Sequence, residues 1–414
     1  MFGKKSAMNN SSDKLFFIDE LTGFKKSYKE LHQVLNREEL VYSKFADTGN
    51  AYHVFYAIIV SLVLDREIIL KPENLLPENT DADCLSLPNP CKGMSLEDIF
   101  QKIRQPLKWS ITIYTSGTTG VPKQVVHSFQ NITRSVKVSA DRADDMWLFA
   151  YNAVHMAGLQ VFFQAFLNQN TLINAFGYQK EPIWRILKQA GVTHISATPT
   201  FYKMLLPCAE VFEVVKQITF GGEKFSPAVL ESLQKIFPKA RFTNVYASSE
   251  AGSVFSANGE YFTVKAHNSH AIRILDNELL LHKSLLGSKH EAEIEGEWYH
   301  TGDMVEMISE NPLAFKFTHR KSEMINVGGS KVNPNEVEDV LLSMDGVADV
   351  RVYGRANSLM GNVLCADVLL HDETLDEKSV KNYLKEKLME YQVPRIIKFV
   401  KHLDATHTGK KKRS

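Results

Sequence analysis

The chain has 414 residues, 44% hydrophobic and 23% charged, enough apolar material for at least two packed domains. Its 48 basic residues balance 48 acidic ones, so no global charge draws it to nucleic acid or to an anionic membrane. Cys84, Cys91, Cys208 and Cys365 are scattered with no Cys-x-x-Cys pair, which argues against a disulfide framework or zinc site and for a reducing compartment.

Residues 1–14 are polar and carry no secretory apolar stretch. The apolar run 54–64 is about half of what a membrane span requires. A cytoplasmic protein without a membrane span is therefore expected. Residues 51–64 read as a helix and 67–70 as a strand, and the Pro-, Asp- and Asn-containing stretch 75–90 as a surface connection. A strand at 111–115 is followed by helix 160–167, strand 171–175, helix 181–190, and strands at 194–197 and 217–220. This alternation predicts an α/β fold with a parallel sheet covered by helices. Segment 257–320 has short alternating runs at 271–275 and 278–282, suited to antiparallel β structure. The texture changes again after Arg320. Asn333 as cap, Pro334 at the first position and Glu336 three residues on open a helix. Strands at 347–353 and 366–370 and a helix at 377–391 complete a small α+β domain. The expected division is a large N-terminal domain of helix-covered sheets, 1–320, and a small C-terminal domain, 321–414.

The most informative stretch is Ile111-Thr-Ile-Tyr-Thr-Ser-Gly-Thr-Thr-Gly-Val-Pro-Lys123. After three β-prone residues, every residue from Thr115 through Ser116, Gly117, Thr118 and Thr119 to Gly120 is Ser, Thr or Gly. Glycines let the backbone approach a ligand, and exposed N–H groups with hydroxyls make a concave site for anionic oxygens. Lys123 adds a positive charge at the rim. The P-loop of nucleotide triphosphatases needs four residues between its glycine and a Gly-Lys-Ser/Thr ending; here two residues separate Gly117 from Gly120, and Lys123 precedes Gln124. A bland Gly/Ser/Thr turn is the competing reading of these residues alone.

Four more motifs follow in order, each of which alone reads equally as ordinary structure. Phe220-Gly-Gly-Glu223 is a tight turn after a strand. Asn244-Val-Tyr-Ala-Ser-Ser-Glu250 couples an aromatic ring, able to stack on a purine, with hydroxyls and a carboxylate able to hold Mg²⁺. Tyr299-His-Thr-Gly-Asp303 sets a carboxylate after a turn glycine, suited to ribose hydroxyls. The run from His319 to Glu338 is a basic linker before a capped helix. The tail, Thr408-Gly-Lys-Lys-Lys-Arg-Ser414, has the composition of a solvated basic end.

Taken together and in this order, these segments resemble the adenylate-forming superfamily: acyl- and aryl-CoA ligases, the adenylation domains of peptide synthetases, and firefly luciferase. The family's phosphate loop is matched by residues 114–123, its aromatic-to-glutamate motif by Tyr246 to Glu250, and its Thr-Gly-Asp by Thr301 to Asp303. Arg320 matches the hinge arginine, Gly328 to Glu338 the Gly-Gly…Pro-x-Glu-Val-Glu segment, and Gly409, Lys410 and Arg413 the closing Gly-Lys-x-x-Arg. The opening Phe17-Ile-Asp and Ser27-Tyr-Lys-Glu-Leu31 are similar to the family's first strand and helix. The short length, Val126-His-Ser-Phe-Gln130 and Val154-His-Met-Ala-Gly-Leu159 look like the o-succinylbenzoate–CoA ligase branch. The chain departs from the family pattern at Ala247, where glycine is usual, at His319, which precedes the hinge arginine, and at Ser322, which replaces the usual Asp or Lys.

The resemblance implies a two-step reaction. A carboxylic acid attacks the α-phosphorus of ATP to give acyl-AMP and pyrophosphate, and a thiol, coenzyme A or that of an acyl carrier protein, then displaces AMP. It also implies a small domain that turns between the two steps. Pyrophosphate contacts fall to Thr115, Ser116, Gly117, Thr118, Thr119, Gly120 and Lys123. Tyr246 stacks on adenine, with Gly221, Gly222 and Glu223 lining the base. Ser249 touches the α-phosphate, Glu250 holds Mg²⁺, and Asp303 with Arg320 holds the ribose. Lys410 bridges carboxylate and α-phosphate, Gly329 lines the thiol channel, and His155 and Ala247 border the acyl pocket. A catalytically silent nucleotide-binding protein of the same fold is the alternative of another class.

Overall fold

The structure, a computed structural model, describes residues 13–46, 49–71, 84–115, 123–223, 227–288, 294–357, 361–371 and 375–403. Compactness divides the chain into two units, Met1–Phe262 with Lys283–Ile294, and Thr263–His282 with Glu295–Ser414.

In the first unit the strands, in chain order, are β1 (Leu15–Asp19), β2 (Phe24–Ser27), β3 (Glu39–Tyr42), β4 (Ile68–Ile69), β5 (Leu85–Pro88), β6 (Ser110–Thr115), β7 (Lys123–Ser128), β8 (Met146–Phe149), β9 (Thr171–Asn174), β10 (His194–Ala197), β11 (Gln217–Gly221), β12 (Arg241–Ser248) and β13 (Gly252–Ala257). Between them lie α1 (Tyr28–Leu35), α2 (Ala51–Val63), α3 (Leu96–Ile103), α4 (Phe129–Ile132), α5 (Met156–Phe166), α6 (Lys180–Gln189), α7 (Pro199–Met204) and α8 (Pro227–Ile236). The main sheet has the order β13-β12-β11-β10-β8-β9-β1-β2. Neighbours from β12 to β1 are parallel, and an antiparallel hairpin closes each edge.

Parallel strands covered on both faces are apolar at successive positions, and here consecutive residues part to opposite cores. Phe17, Phe149 and Leu172 join the cluster that contains α2 and α5, whereas Ile18, Leu148 and Ile173 join the one that contains α6 and α8. Helices α2 and α5 are apolar almost all round, as a fully buried helix must be. Phe55 of α2 stacks on Phe162 of α5 at 4.5 Å and meets Phe149 edge-on at 5.1 Å. A Cβ on Gly158 of α5 would lie 2.2 Å from the Asn152 carbonyl oxygen, so this close approach admits only glycine.

A separate three-stranded sheet pairs β4 parallel with β6, and β6 antiparallel with β7. Strand β5 pairs with β3, so residues 85–88 belong to a ribbon rather than to a plain surface connection.

In the second unit β15 (Ile272–Leu275), β16 (Glu278–His282), β18 (Trp298–Glu310) and β19 (Leu313–Arg320) form an antiparallel series in that order. Short strands β14 (Tyr261–Thr263) and β17 (Ile294–Glu295) precede and interrupt it. Strands β20 (Ile325–Val327), β21 (Ser330–Val332), β22 (Val347–Asn357), β23 (Gly361–Leu370) and β24 (Ile396–Phe399) make a five-stranded sheet, with helices α9 (Pro334–Leu342) and α10 (Glu377–Lys387). Valines and leucines of this sheet pack with Val337, Leu341, Val380 and Leu384 of the two helices. Helix α9 starts as the sequence predicts: the Asn333 side chain accepts from the Asn335 N–H, and Pro334 occupies the first turn. The helix expected over 377–391 stops at Lys387, and a separate 3₁₀ turn covers Glu390–Gln392. Among the described residues no helix is long and apolar enough to cross a membrane.

Candidate active site

Strands β6 and β7 carry the two ends of the Ser/Thr/Gly stretch, with Thr115 paired to Lys123. Ser116, Gly117, Thr118, Thr119 and Gly120 lie outside the described residues. The flanking elements alone separate this site from a P-loop, which passes from strand to helix; here the chain returns as an antiparallel strand. Gln124 Nε2 donates to Tyr114 Oη across that hairpin at 2.8 Å.

The Gly-Gly-Glu turn sits at the end of β11. Gly222 has a φ of +82°, which favours glycine. A Cβ on Gly221 would stand 3.3 Å from Tyr151 Oη, and that hydroxyl donates to the Gly221 carbonyl at 3.4 Å. Burial pushes the Tyr151 phenol well above its usual range, so it remains a neutral donor. The Glu223 carboxylate accepts from the Thr200 N–H and hydroxyl, both at 2.9 Å. Glu223 thus ties the turn to the start of α7, a role that its sequence position alone does not disclose.

Strand β12 carries Tyr246 and Ala247 and leads directly into the turn that carries Ser249 and Glu250. Its pairing with β13 shifts register between Tyr246 and Ala247. Such a bulge re-aims the side chains that follow and is over-represented beside active sites. Tyr246 is half-buried, with its ring 5.9 Å from that of Phe255. After β12 comes a turn in which three successive carbonyls are held. Ser249 O accepts from His127 Nε2 at 2.8 Å, Glu250 O from the Gly287 N–H at 2.8 Å, and Ala251 O from Arg134 at 2.6 Å. The Ser248 hydroxyl also accepts from the Ala251 N–H. Against this fixed backbone, the Ser249 hydroxyl and Glu250 carboxylate make no hydrogen bond or ion pair with any described residue. That suits a carboxylate that meets a hard cation, since no cationic side chain among the described residues competes for it. His155 stands at the N-terminus of α5 without a side-chain capping bond.

In the second unit, Asp303 and Arg320 are cross-strand partners on β18 and β19. Arg320 Nε donates to Asp303 Oδ1 at 2.8 Å and its terminal nitrogen to Oδ2 at 3.4 Å, so pairing alone brings the two expected ribose residues together. Beside them, buried Glu278 accepts from Lys321 Nζ at 2.7 Å, the Gly302 N–H at 2.8 Å and His300 Nδ1 at 3.0 Å. Burial opposes ionisation of Glu278, but bonds from Lys321, His300 and Gly302 outweigh it and hold the carboxyl below its ordinary value. Sequence reasoning missed this cluster; its one signal was a lone glutamate opening the apolar strand Glu278–His282. Gly328 and Gly329 have φ of +58° and +89° and form the two-residue loop joining β20 to β21, a turn that requires positive φ at both positions. Lys410 lies outside the described residues.

The family described as AMP-binding enzyme matches residues 58–279, and the AMP-binding enzyme C-terminal domain matches residues 336–410. A 2-succinylbenzoate–CoA ligase of Listeria monocytogenes serotype 4b (strain F2365) is 28% identical over 324 residues, covering 73% of this chain and 68% of that protein. The long-chain-fatty-acid–CoA ligase FadD13 of Mycobacterium tuberculosis (strain CDC 1551 / Oshkosh) is 25% identical over 332 residues, covering 72% and 65%. In fold, the chain is similar to the o-succinylbenzoate coenzyme A synthetase MenE of Bacillus subtilis, solved with ATP and a magnesium ion. The TM-score is 0.67 at 20% identity, covering 97% of this chain and 96% of that one. The α/β architecture with a smaller C-terminal α+β sheet is that of this fold. The chain belongs to the AMP-binding enzyme family, as an AMP-forming acid–thiol ligase of the adenylate-forming superfamily.

Proposed function

We propose that this enzyme joins an aryl or short carboxylic acid to coenzyme A in the cytoplasm, through an acyl-adenylate, with ATP and Mg²⁺. The observation that carries the reading is the turn after β12: its backbone is pinned at three carbonyls, while the Ser249 hydroxyl and Glu250 carboxylate engage none of the described residues. Fixed dipoles and charges aimed at a reacting group are what phosphoryl-group chemistry asks of a protein. Mg²⁺, when bound, neutralises phosphate oxygens, and Glu250 is the residue proposed to hold it. Ser249 meets the α-phosphate, Tyr246 the adenine beside Gly221, Gly222 and Glu223, and Asp303 with Arg320 the ribose. Thr115, Ser116, Gly117, Thr118, Thr119, Gly120 and Lys123 take the pyrophosphate. Lys410, within the functional C-terminal part 321–414, meets the carboxylate, and Gly329 lines the approach of the thiol. Coenzyme A is favoured over a carrier-protein thiol because the relatives named above are CoA ligases.

The choice of acid rests on Ala247 and His155 as pocket residues. A methyl group at position 247, beside the bulge, crowds a close-packed wall. The test is acid-dependent exchange of labelled pyrophosphate into ATP over a panel running from 2-succinylbenzoate and benzoate to palmitate. Exchange is expected with the aryl acids and little with palmitate. Comparable kcat/KM for palmitate and benzoate would contradict the role given to Ala247.

A further inference from the structure

We infer that His127 is a positioning residue for the adenylation step, tying the strand that leaves the phosphate loop to the turn that carries Ser249 and Glu250. The inference rests on the functional reading above and adds to it a residue to which that reading gives no role. His127 lies in β7, four residues after Lys123, and is fully buried. Its Nε2 faces the Ser249 carbonyl at 2.8 Å and its Nδ1 faces Asn131 Oδ1 at 3.0 Å.

The orientation of the Asn131 amide fixes the proton positions. Its Nδ2 donates to the carbonyls of Leu286 at 3.0 Å and Leu285 at 3.4 Å, so its oxygen must be the atom that faces the imidazole. A carbonyl and an amide oxygen only accept, so both ring nitrogens of His127 donate. The side chain therefore fastens β7 to the Ser249–Glu250 turn and, through Asn131, to the segment whose Gly287 N–H holds the Glu250 carbonyl. There is no slack in this arrangement. A Cβ on Gly287 would lie 2.9 Å from His127 Cε1 and 2.7 Å from the Val126 oxygen. Partners one step behind a metal-holding carboxylate typically set metal affinity or activity by roughly 10–100-fold. His127 has that place: it touches the backbone of the residue before Glu250 rather than any reacting atom.

The experiment is pyrophosphate exchange by purified full-length His127→Phe, titrated with Mg²⁺ and, separately, with the best acid from the panel. The Mg²⁺ needed for half-maximal exchange should rise by roughly 10–100-fold, with the KM for the acid unchanged. A folded variant with the parent's Mg²⁺ requirement, or one in which the KM for the acid moves equally, would overturn the inference. Should His127→Phe not fold, ¹⁵N-histidine spectra of the unsubstituted protein decide. Two slowly exchanging N–H protons on the His127 ring are expected, and a ring with only one overturns the tie. Exchange by the unsubstituted protein is the control for the functional reading, since its absence with every acid would remove that reading while leaving the His127 spectrum unchanged.

Discussion

Lys410→Ala is expected to lower acyl-adenylate formation by on the order of 10²–10³-fold while leaving transfer from pre-made acyl-adenylate to coenzyme A nearly intact. The residue stands four places from the last residue given, in a run of basic residues that composition alone assigns to a solvated end. Two observations argue otherwise. It falls in Gly409-Lys-x-x-Arg413, and the C-terminal family match runs through residue 410. The physical reason for a split effect is that an ammonium group is needed where a carboxylate and an α-phosphate, both anionic, approach each other. No such repulsion arises when a thiol attacks the acyl carbon of the acyl-adenylate, a mixed anhydride, and AMP leaves. Gly329→Val should show the reverse pattern, with thiol transfer impaired and adenylation retained. Because Gly329 has φ of +89°, a β-branched residue also strains that hairpin, so thermal denaturation accompanies the assay. Equal loss of both half-reactions in Lys410→Ala would make the tail structural.

Glu250→Gln should weaken the dependence on Mg²⁺ and slow adenylation. The substitution keeps shape and removes charge, and the carboxylate has no described partner whose loss would complicate the result. Removal of a direct ligand should cost at least the roughly 10–100-fold that loss of an outer partner does. The change is read as the Mg²⁺ concentration for half-maximal exchange, with chelation by EDTA abolishing exchange in the parent. An unchanged metal requirement in Glu250→Gln would remove the residue from the metal site. Comparison with His127→Phe then separates a ligand from its support: the support loses metal affinity, whereas the ligand also loses maximal rate.

Much of the fold was legible because local pattern and tertiary role agree. The short apolar runs at His194–Ala197 and Glu278–His282 are strands with those limits. Asn333 and Pro334 open α9 because a cap side chain and a fixed φ act within one turn. Strands that depend on distant partners were hidden. Met146–Phe149 is a short apolar run without alternation, and becomes a strand only between β9 and β10. Leu85–Pro88, among prolines and polar residues, is a strand because Glu39–Tyr42 lies beside it.

The same division holds for the site. Motif order picks out Tyr246, Ser249, Glu250, Asp303 and Arg320 as candidates, since each belongs to a contiguous segment. What positions them was not legible. His127 is 122 residues from Ser249, and Thr200 is 23 residues from Glu223, so neither contact leaves a local spacing to read. The bulge between Tyr246 and Ala247 likewise depends on pairing with β13. Long-range hydrogen bonds to backbone carbonyls carry almost no residue-type signature, because any donor at the right place suffices.

The central claim is that the chain cleaves ATP between its α- and β-phosphates on behalf of a carboxylic acid. Product analysis tests it most directly: purified full-length protein, ATP, Mg²⁺, coenzyme A and the acid panel, with nucleotides and phosphates separated after reaction. The predicted result is AMP and pyrophosphate formed in step with acyl-CoA, and only when a carboxylic acid is present. ADP and inorganic phosphate without AMP, or nucleotide turnover indifferent to the acid, would contradict it.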